Sequence, residues 1–265
     1  MQRRTFVTGA AAALLALAAG AAAAAPLTEL KVACTPVPAG DILRFVKPIL
    51  AKEGIDLKIF EFQDFVAPNA ALDSKDVDVN LYQHGPFLAN AIRQRKLKLA
   101  AGPKVHLIPM AVYSEKVKKI TDVKEGARVS LPNDPTNGGR ALLILQSAGL
   151  IKLRAGVGHE ASAFDITDNP RKLKFVELEA AQVPRSLKDV DLAIVNTNYA
   201  LAVGLNPLKD SIFIEDKNSP YAVLVATRQG DEKDPRVLKL EKALTSPETK
   251  QFILDTFKGS VIPAF

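Results

Sequence analysis

An arginine beside two glycines, at the start of an apolar helical pattern, is the combination in this chain best suited to binding an anion. Residues 132–150 pass from a turn-forming run through Gly138, Gly139 and Arg140 into an apolar helix, with Asp134 as a good N-cap. Each glycine costs about 1 kcal/mol of helix stability relative to alanine, so the pair needs a reason. Backbone N–H groups at a helix start, beside a guanidinium group, could bind a carboxylate. A weak helix start with a solvated arginine is the alternative.

Aromatic and polar side chains are also concentrated in residues 78–87. We expect part of this segment to follow a strand. Tyr82, His84 and Phe87 could then form an aromatic wall for an apolar or thioether side chain. Packing of the two aromatic rings in the core, with a hydrogen-bonded His84, is the alternative.

The sequence carries no recognisable catalytic or metal-binding motif. His84, His106 and His159 are too far apart in sequence to show metal-ligand spacing, and no motif sets a nucleophile beside a base. We therefore predict a protein without a metal or cofactor that is not an enzyme. A hydrolase that uses His84 with a nearby carboxylate is the alternative of another class. Cys34 lies in an apolar run and is predicted to be a buried core residue.

The N-terminal segment has the pattern of an export signal. Arg3 and Arg4 precede an alanine- and leucine-rich run, so we predict that residues 1–24 are a cleaved signal peptide. The arginine pair favours twin-arginine export, and an ordinary secretion signal is the alternative. A lipid anchor would need a cysteine at the cleavage site, and none lies between Met1 and Ala33. The prediction is a soluble periplasmic protein without a lipid anchor.

After this segment, short β-rich runs alternate with helical patterns, which predicts parallel, doubly wound α/β sheets. The last strand and helices need a sheet to pack on, and the first unit is the natural host. We therefore predict two lobes joined by two crossings, one comprising residues 25–111 and 218–265 and the other residues 112–217. Two such lobes could hinge around a ligand at the carboxyl ends of the strands.

Charge gives little indication of a large partner. The net charge is +6, and the one dense basic cluster, residues 93–98, has no interleaved aromatic residues. A solvated helix end explains such a cluster better than a nucleic-acid site. The sequence predicts a monomer that binds a small molecule and no nucleic acid.

Several motifs occur in an order that resembles a known family. Residues 132–142, followed by Gly-Leu-Ile-Lys-Leu at 149–153, resemble the hallmark of the NlpA/MetQ family of methionine-binding periplasmic proteins of ABC importers. Further matches lie at residues 78–84, 177–180, 184–187, 193–200 and 215–221. The resemblance implies a type II-like, two-lobed α/β binding protein, with a ligand in the cleft and a membrane permease as partner.

The resemblance also implies roles for individual residues. Arg140 would bind the ligand carboxylate through its planar fork, beside backbone left free by Gly139, and Asn196 would hydrogen-bond the amino-acid head group. The remaining predicted residues would line the side-chain pocket: Phe65, Tyr82, His84 and Phe87.

The chain departs from the family pattern at the predicted site. Val223 stands where the family usually has an asparagine that helps to hold the head group, and Phe65 and Phe87 stand where tyrosine is common. Loss of a polar partner for a buried group typically costs about 1–3 kcal/mol. The open alternative is therefore a ligand other than methionine, such as a peptide, an N-blocked amino acid or another organic acid.

Overall fold

A computed structural model describes residues 27–265, so the predicted signal peptide lies outside the described residues. The strands are β1 Thr28–Cys34, β2 Ile55–Glu61, β3 Val79–His84, β4 Leu99–Leu107, β5 Ala111–Tyr113, β6 Arg128–Pro132, β7 Lys152–Leu153, β8 Ile166–Asp168, β9 Lys174–Leu178, β10 Leu192–Val195, β11 Ser211–Ile214, β12 Ala222–Arg228 and β13 Ile262–Pro263. The α-helices are α1 Asp41–Lys52, α2 Ala67–Asp73, α3 Gly85–Arg95, α4 Pro135–Ser147, α5 Thr197–Ala202, α6 Pro235–Leu244 and α7 Pro247–Phe257. Within this range, no helix is both long enough and apolar enough to cross a membrane.

The strands form two large mixed sheets, which we use to define two lobes, and β7 pairs with β8 in a separate two-stranded sheet. The first sheet has the order β13-β4-β12-β3-β1-β2, and the second has the order β11-β5-β10-β6-β9. In the first, β1 is parallel to β2 and β3, whereas β12 is antiparallel to both β3 and β4. In the second, β6 is parallel to β9 and β10, whereas β5 is antiparallel to β10. The predicted parallel pairing is therefore present within each sheet, and β5 and β12 add antiparallel pairs to it.

The antiparallel strands result from the two crossings between the sheets. The chain leaves the first sheet after Leu107 and enters the second at Ala111, and it leaves the second after Ile214 and re-enters the first at Ala222. Both departures lie at the carboxyl ends of strands, so each entering strand, β5 and β12, must run away from that edge. Ala111, which the sequence assigned to the first lobe, is the first residue of β5 in the second sheet.

Each lobe has its own apolar core. In the first lobe, α1, α6 and α7 cover one sheet face, with residues such as Leu43, Leu50 and Leu240 fully buried. In the second, α4 packs Leu145 against Val129 of β6. Cys34 is buried in β1, as predicted, and burial raises the pKa of its thiol to about 12.

Two strands near the cleft differ from their predicted extents. The apolar runs at residues 97–101 and 106–113 each predict a separate strand, but β4 continues through Gly102 and Pro103 as one strand. Register shifts in its pairing with β12 accommodate these residues, as β-bulges commonly do. Strand β3 extends to His84, so residues predicted to lie in a loop belong to a buried strand that ends at the cleft.

Candidate functional site

A cleft with about 300 Å³ of space, part of it open to solvent, forms a cavity where the two sheets face each other. It is lined by Phe65, Tyr82, Gln83, His84, Phe87, Ile108, Asn137, Arg140, Asn196, Asn198 and Val223. The first lobe contributes the end of β3, the start of α3 and part of β12. The second contributes the first turns of α4 and α5, which follow β6 and β10. Most lining residues thus lie at the carboxyl ends of parallel strands, where α/β folds bind ligands, and Val223 lies at the start of the antiparallel β12.

Aromatic rings form the first-lobe side of the cavity. Phe65, Tyr82 and Phe87 lie with their ring centroids 6.0–6.1 Å from one another, within the range of favourable aromatic pairs. The Tyr82 hydroxyl donates a hydrogen bond to the Phe65 carbonyl oxygen at 3.1 Å, and Phe65 also packs on Tyr199 of the second lobe at 4.9 Å. The result is a wall, which we call the aromatic wall, that also spans the lobe boundary.

His84 joins the aromatic wall to the second lobe. It is the N-cap of α3, and its Nδ1 accepts a hydrogen bond from the Phe87 backbone N–H at 3.1 Å. Because Nδ1 accepts, the proton is on Nε2, which donates to Asn137 Oδ1 at 3.1 Å. Burial and, secondarily, the nearby Arg140 charge lower the pKa of His84 to about 3. His84 is therefore a neutral donor, and both ring nitrogens are already engaged.

Asn137 fixes the orientation of a second amide across the cavity. Its Nδ2 donates to the Asp134 carboxylate at 2.9 Å, which leaves its Oδ1 as the acceptor for His84. The same Oδ1 accepts from Asn196 Nδ2 at 2.9 Å. Asn196 Oδ1 and Asn198 Oδ1 are buried without a hydrogen-bond partner among residues 27–265. Buried unpaired acceptors beside a cavity suit a ligand that carries donors.

Arg140 is almost fully buried and is held by both crossings. Nε donates to Glu215 Oε1 at 2.8 Å, and Nη2 donates to Glu215 Oε2 and to the Ile108 carbonyl oxygen. The guanidinium carbon lies 4.2 Å from the centre of the Tyr221 ring, which is a cation–π geometry. Glu215 thus occupies one edge of the fork, and Nη1 makes no hydrogen bond within the described chain. The fork is less free for a bidentate ligand contact than the sequence suggested.

The two glycines before Arg140 are explained by packing. A methyl group at Gly138 would lie 2.8 Å from the Pro132 carbonyl oxygen. At Gly139 it would lie 2.8 Å from the Ala161 backbone nitrogen and closer still to the His159 carbonyl oxygen. Protein backbone, rather than an anion, therefore approaches these positions. Gly139 does not line the cavity, in contrast to its predicted role.

The structure brings most of the predicted site residues together around this cavity. Those that line it are Phe65, Tyr82, His84, Phe87, Arg140, Asn196 and Val223. Sequence reasoning missed Gln83, Ile108, Asn137, Asn198 and Glu215. Asn137 precedes Arg140 by three residues on α4, and this i,i+3 spacing on one helix face could have indicated it. No sequence signal pairs Glu215 with Arg140, because the two residues lie 75 positions apart.

The fold, with its cavity between two lobes, defines a class: the two-lobed solute-binding proteins. The family model described as NlpA lipoprotein matches residues 30–265. The chain therefore belongs to the NlpA lipoprotein family, as the resemblance implied.

Named relatives agree with this assignment. The D-methionine-binding lipoprotein MetQ of Salmonella typhimurium is 46% identical over 80% of this chain and 79% of its own length. Lipoprotein 28 of Escherichia coli O157:H7 is 42% identical over 85% and 84%. A nutrient-binding protein from Burkholderia cenocepacia, solved bound to methionine, is 48% identical, with a TM-score of 0.86 over 89% of this chain and all of that one. Relatives named for binding rather than catalysis support a non-enzymatic function at the level of the family.

The predicted absence of a lipid anchor is wrong. The family and its relatives are named lipoproteins, which implies a lipid anchor, whereas the predicted periplasmic location fits them. Lipid attachment occurs at the N-terminus during processing. It does not depend on how residues 27–265 fold. The prediction was based on the lack of a cysteine between Met1 and Ala33, and most of these residues lie outside the described range.

Proposed function

We propose that this protein binds methionine, or a closely related zwitterionic amino acid, in the cleft between its lobes and delivers it to the membrane permease of an ABC importer. The observation that carries the proposal is the division of one cavity into an aromatic side and a polar side. An amphipathic amino acid of moderate size matches that division. The methionine bound to the Burkholderia cenocepacia relative and the D-methionine in the name of the Salmonella typhimurium relative support the same ligand class.

The head group would bind at the polar side. Nη1 of Arg140 has hydrogens available for a carboxylate oxygen, and a charge-assisted hydrogen bond of this kind is strong. The unpaired amide oxygens of Asn196 and Asn198 would accept from the ammonium group. An ammonium group has three N–H donors and can satisfy both, whereas an N-acylated nitrogen has one. This difference favours a free amino acid over an N-blocked one.

The ligand side chain would lie against the aromatic wall. A thioether is flexible and polarizable and makes favourable contacts with aromatic rings, about 0.3–1.5 kcal/mol each. Phe65 and Phe87 have no hydroxyl groups, so this side of the cavity offers few hydrogen bonds to a polar side chain. The wall thus suits methionine better than an amino acid with a polar side chain.

We also propose that the two lobes, which meet at the crossings between Leu107 and Ala111 and between Ile214 and Ala222, close about these crossings when the ligand binds. Arg140 supports this role, because it contacts Ile108 in one crossing and Glu215 in the other. A ligand on Arg140 would therefore stabilise the closed arrangement. Periplasmic capture followed by handover to a permease is the corresponding transport step, and we propose that the protein catalyses no reaction.

Titration calorimetry with L-methionine, D-methionine, norleucine, N-acetylmethionine and a glycyl-methionine dipeptide tests the ligand. We expect micromolar or tighter binding of at least one methionine enantiomer and weaker binding of the N-blocked compounds. Failure of all α-amino acids to bind, with the protein shown to be folded, would contradict the proposal. Recovery of unchanged ligand after long incubation would argue against the hydrolase alternative.

A ligand with a blocked or missing amine is the second candidate, and Val223 is the observation that favours it. Val223 lines the cavity and is only 2% exposed, so its side chain offers no polar partner to a head group. If Val223→Asn strengthens methionine binding by tenfold or more, the native pocket is weakened for methionine. If it instead abolishes binding of N-acetylmethionine while methionine affinity stays unchanged, the blocked ligand is favoured.

A further inference from the structure

The charge balance inside the cavity depends on one residue outside its lining. Among the lining residues, Arg140 alone carries a formal charge, since His84 is neutral. Glu215 lies directly behind Arg140, with the two side chains 8% and 2% exposed. Its carboxylate accepts three hydrogen bonds, one at Oε1 from Arg140 Nε and two at Oε2, from Arg140 Nη2 and from the Met110 backbone N–H at 3.1 Å. Arg140 is therefore neutralised by Glu215, and the cavity lining carries no unbalanced positive charge. The partly buried Asp134 carboxylate behind Asn137 adds no positive charge that could balance an anion.

This charge balance has a direct consequence for the ligand. A ligand with a carboxylate and no ammonium group would bring a net negative charge into a buried space where Arg140 is already neutralised. Burying a net charge without a compensating partner is strongly unfavourable. A zwitterion brings no net charge, and its ammonium group meets the amide oxygens of Asn196 and Asn198, which can solvate it without adding charge.

We propose that Glu215 is a specificity-determining residue, which selects zwitterionic ligands over anionic ones by neutralising Arg140 inside the closed site. This inference rests on the proposed function and names the net charge of the ligand that the site accepts. Without Glu215, the positive charge of Arg140 would be balanced by the carboxylate of an anionic ligand. The side chain acts through Arg140 and does not line the cavity itself.

The test compares two ligands of the same skeleton in two proteins. Methionine is the zwitterion, and 4-(methylthio)butanoate is the same molecule without the amine. Calorimetry gives the ratio of their dissociation constants in the wild type and in Glu215→Gln. We expect the wild type to prefer methionine, and we expect the substitution to shift the ratio at least tenfold towards the anion. Loss of the amine affects the dissociation constants equally in both proteins. A change in the ratio between the two proteins therefore measures the effect of the Glu215 charge.

Two control variants separate charge from damage to the fold. Glu215→Asp keeps the negative charge and should leave the ratio within about threefold of the wild type. Glu61→Gln removes a carboxylate that pairs with Arg44 at a half-exposed position and should not change the ratio. A folded Glu215→Gln protein with an unchanged ratio would overturn the inference, even if both affinities fall together. Failure of methionine to bind the wild type would instead overturn the proposed function, and this inference with it.

A second measurement needs no substitution and applies if Glu215→Gln does not fold. In the wild type, calorimetry in buffers of different ionisation enthalpy reports protons taken up on binding. A site without unbalanced positive charge should bind 4-(methylthio)butanoate with uptake of about one proton, and less tightly as pH rises from 6 to 8. Methionine should bind with no proton uptake. Equal affinity for both ligands at pH 8, without proton uptake, would overturn the inference.

Discussion

The two sides of the cavity are built on different principles. On the first-lobe side, Phe65, Tyr82 and Phe87 contact one another mainly through their ring faces and edges. On the second-lobe side, Asn137 and Arg140 are each fixed by hydrogen bonds to a carboxylate, that of Asp134 or of Glu215. We call this second side the polar wall, comprising Asn137, Arg140, Asn196 and Asn198.

This difference determines how each wall should respond to change. Ring packing has no strict direction, so the aromatic wall should select ligands by size and polarizability and should lose affinity gradually. Each hydrogen bond of the polar wall has a donor and an acceptor that cannot be exchanged. Removal of one member leaves a buried group unpaired, at a typical cost of about 1–3 kcal/mol. Substitutions in the polar wall should therefore have larger effects on the ligand head group.

The largest effect is expected for Arg140→Ala. The change removes the carboxylate partner and leaves Glu215 as a buried unpaired charge, a loss of about 3–5 kcal/mol of stability. Methionine binding should become undetectable by calorimetry, and chemical denaturation should show the lost stability. As a control, Arg44→Ala breaks two largely exposed ion pairs, with Asp41 and Glu61, and should change stability by no more than about 1 kcal/mol for each pair, without affecting binding. Retention of binding within tenfold in Arg140→Ala would contradict the role of the polar wall.

A second effect concerns acid, because His84 connects the two walls. Burial lowers the pKa of His84 and of His106 to about 3, below the value of about 6.5 expected in the unfolded chain. The unfolded chain then binds protons that the folded chain does not. Stability is therefore full above about pH 6.5 and falls as pH decreases towards 3.

Each of these histidines should contribute a slope of up to about 1.4 kcal/mol per pH unit to the free energy of unfolding in that window. Urea denaturation at pH 4.5–7 measures the slope. The variants His84→Gln and His106→Gln should each lower this slope by the contribution of about one proton, which is about 1.4 kcal/mol per pH unit. A slope that neither variant changes would show that these histidines titrate alike in both states.

Asn137→Ala should have an effect of intermediate size. It removes the acceptor for both His84 and Asn196, so the Asn196 amide loses its fixed orientation. We expect methionine affinity to fall by about 10- to 100-fold, corresponding to about 1–3 kcal/mol. The exposed Asn133, which lies between β6 and α4, supplies the matched control, since Asn133→Ala should leave affinity unchanged. Equal effects of the two substitutions would argue against a specific role for Asn137.

The aromatic wall should respond to Phe87→Leu with a smaller, ligand-dependent loss. We expect methionine affinity to fall by about three- to tenfold, within the range of sulfur–aromatic contacts. Norleucine, which has a methylene in place of the sulfur, should lose less. Asn137→Ala acts on the head group and should weaken both ligands equally. Calorimetry with both ligands on both variants distinguishes the two walls, and identical patterns would remove the distinction between them.

The smallest effect is expected at the outer edge of the cleft. Glu160 accepts hydrogen bonds from Asn90 and Arg93, so it links the second lobe to α3 of the first. An exposed ion pair of this kind contributes about 0–1 kcal/mol. Glu160→Gln should therefore speed methionine dissociation about two- to fivefold in a radiolabel chase. Glu125→Gln, which breaks an exposed pair with Lys172 inside the second lobe, should not change that rate.

Much of the fold was predictable because its signals are local. Asp134 is the N-cap of α4, and its side chain accepts from the Asn137 backbone N–H, as the turn chemistry predicted. The helical pattern of residues 41–53, followed by Gly54, predicts a helix, and α1 runs from Asp41 to Lys52. The parallel pairing of β1 with β2 and β3 also follows from the alternation of strands and helices. The insertion of β12 between β3 and β4 does not, since no local pattern encodes which edge a returning strand occupies.

The candidate site shows the same limit at the level of single residues. His84 and Arg140 stand in sequence contexts that indicate a polar or aromatic function, and both line the cavity. The sequence shows that Gly139 has no side chain, but it does not show which group occupies the space beside this residue. The turn at His159 fills that space.

By itself, the sequence determined which side chains are available near the strand ends, since helix caps, turns and hydrophobic periodicity act over a few residues. Tertiary structure alone decided which of them meet. Glu215 reaches Arg140 only because the second crossing passes over α4, and Asn137 reaches His84 only because the lobes face each other. The net charge and the hydrogen-bond directions of the cavity arise from these long-range contacts, and they define the ligand that we propose.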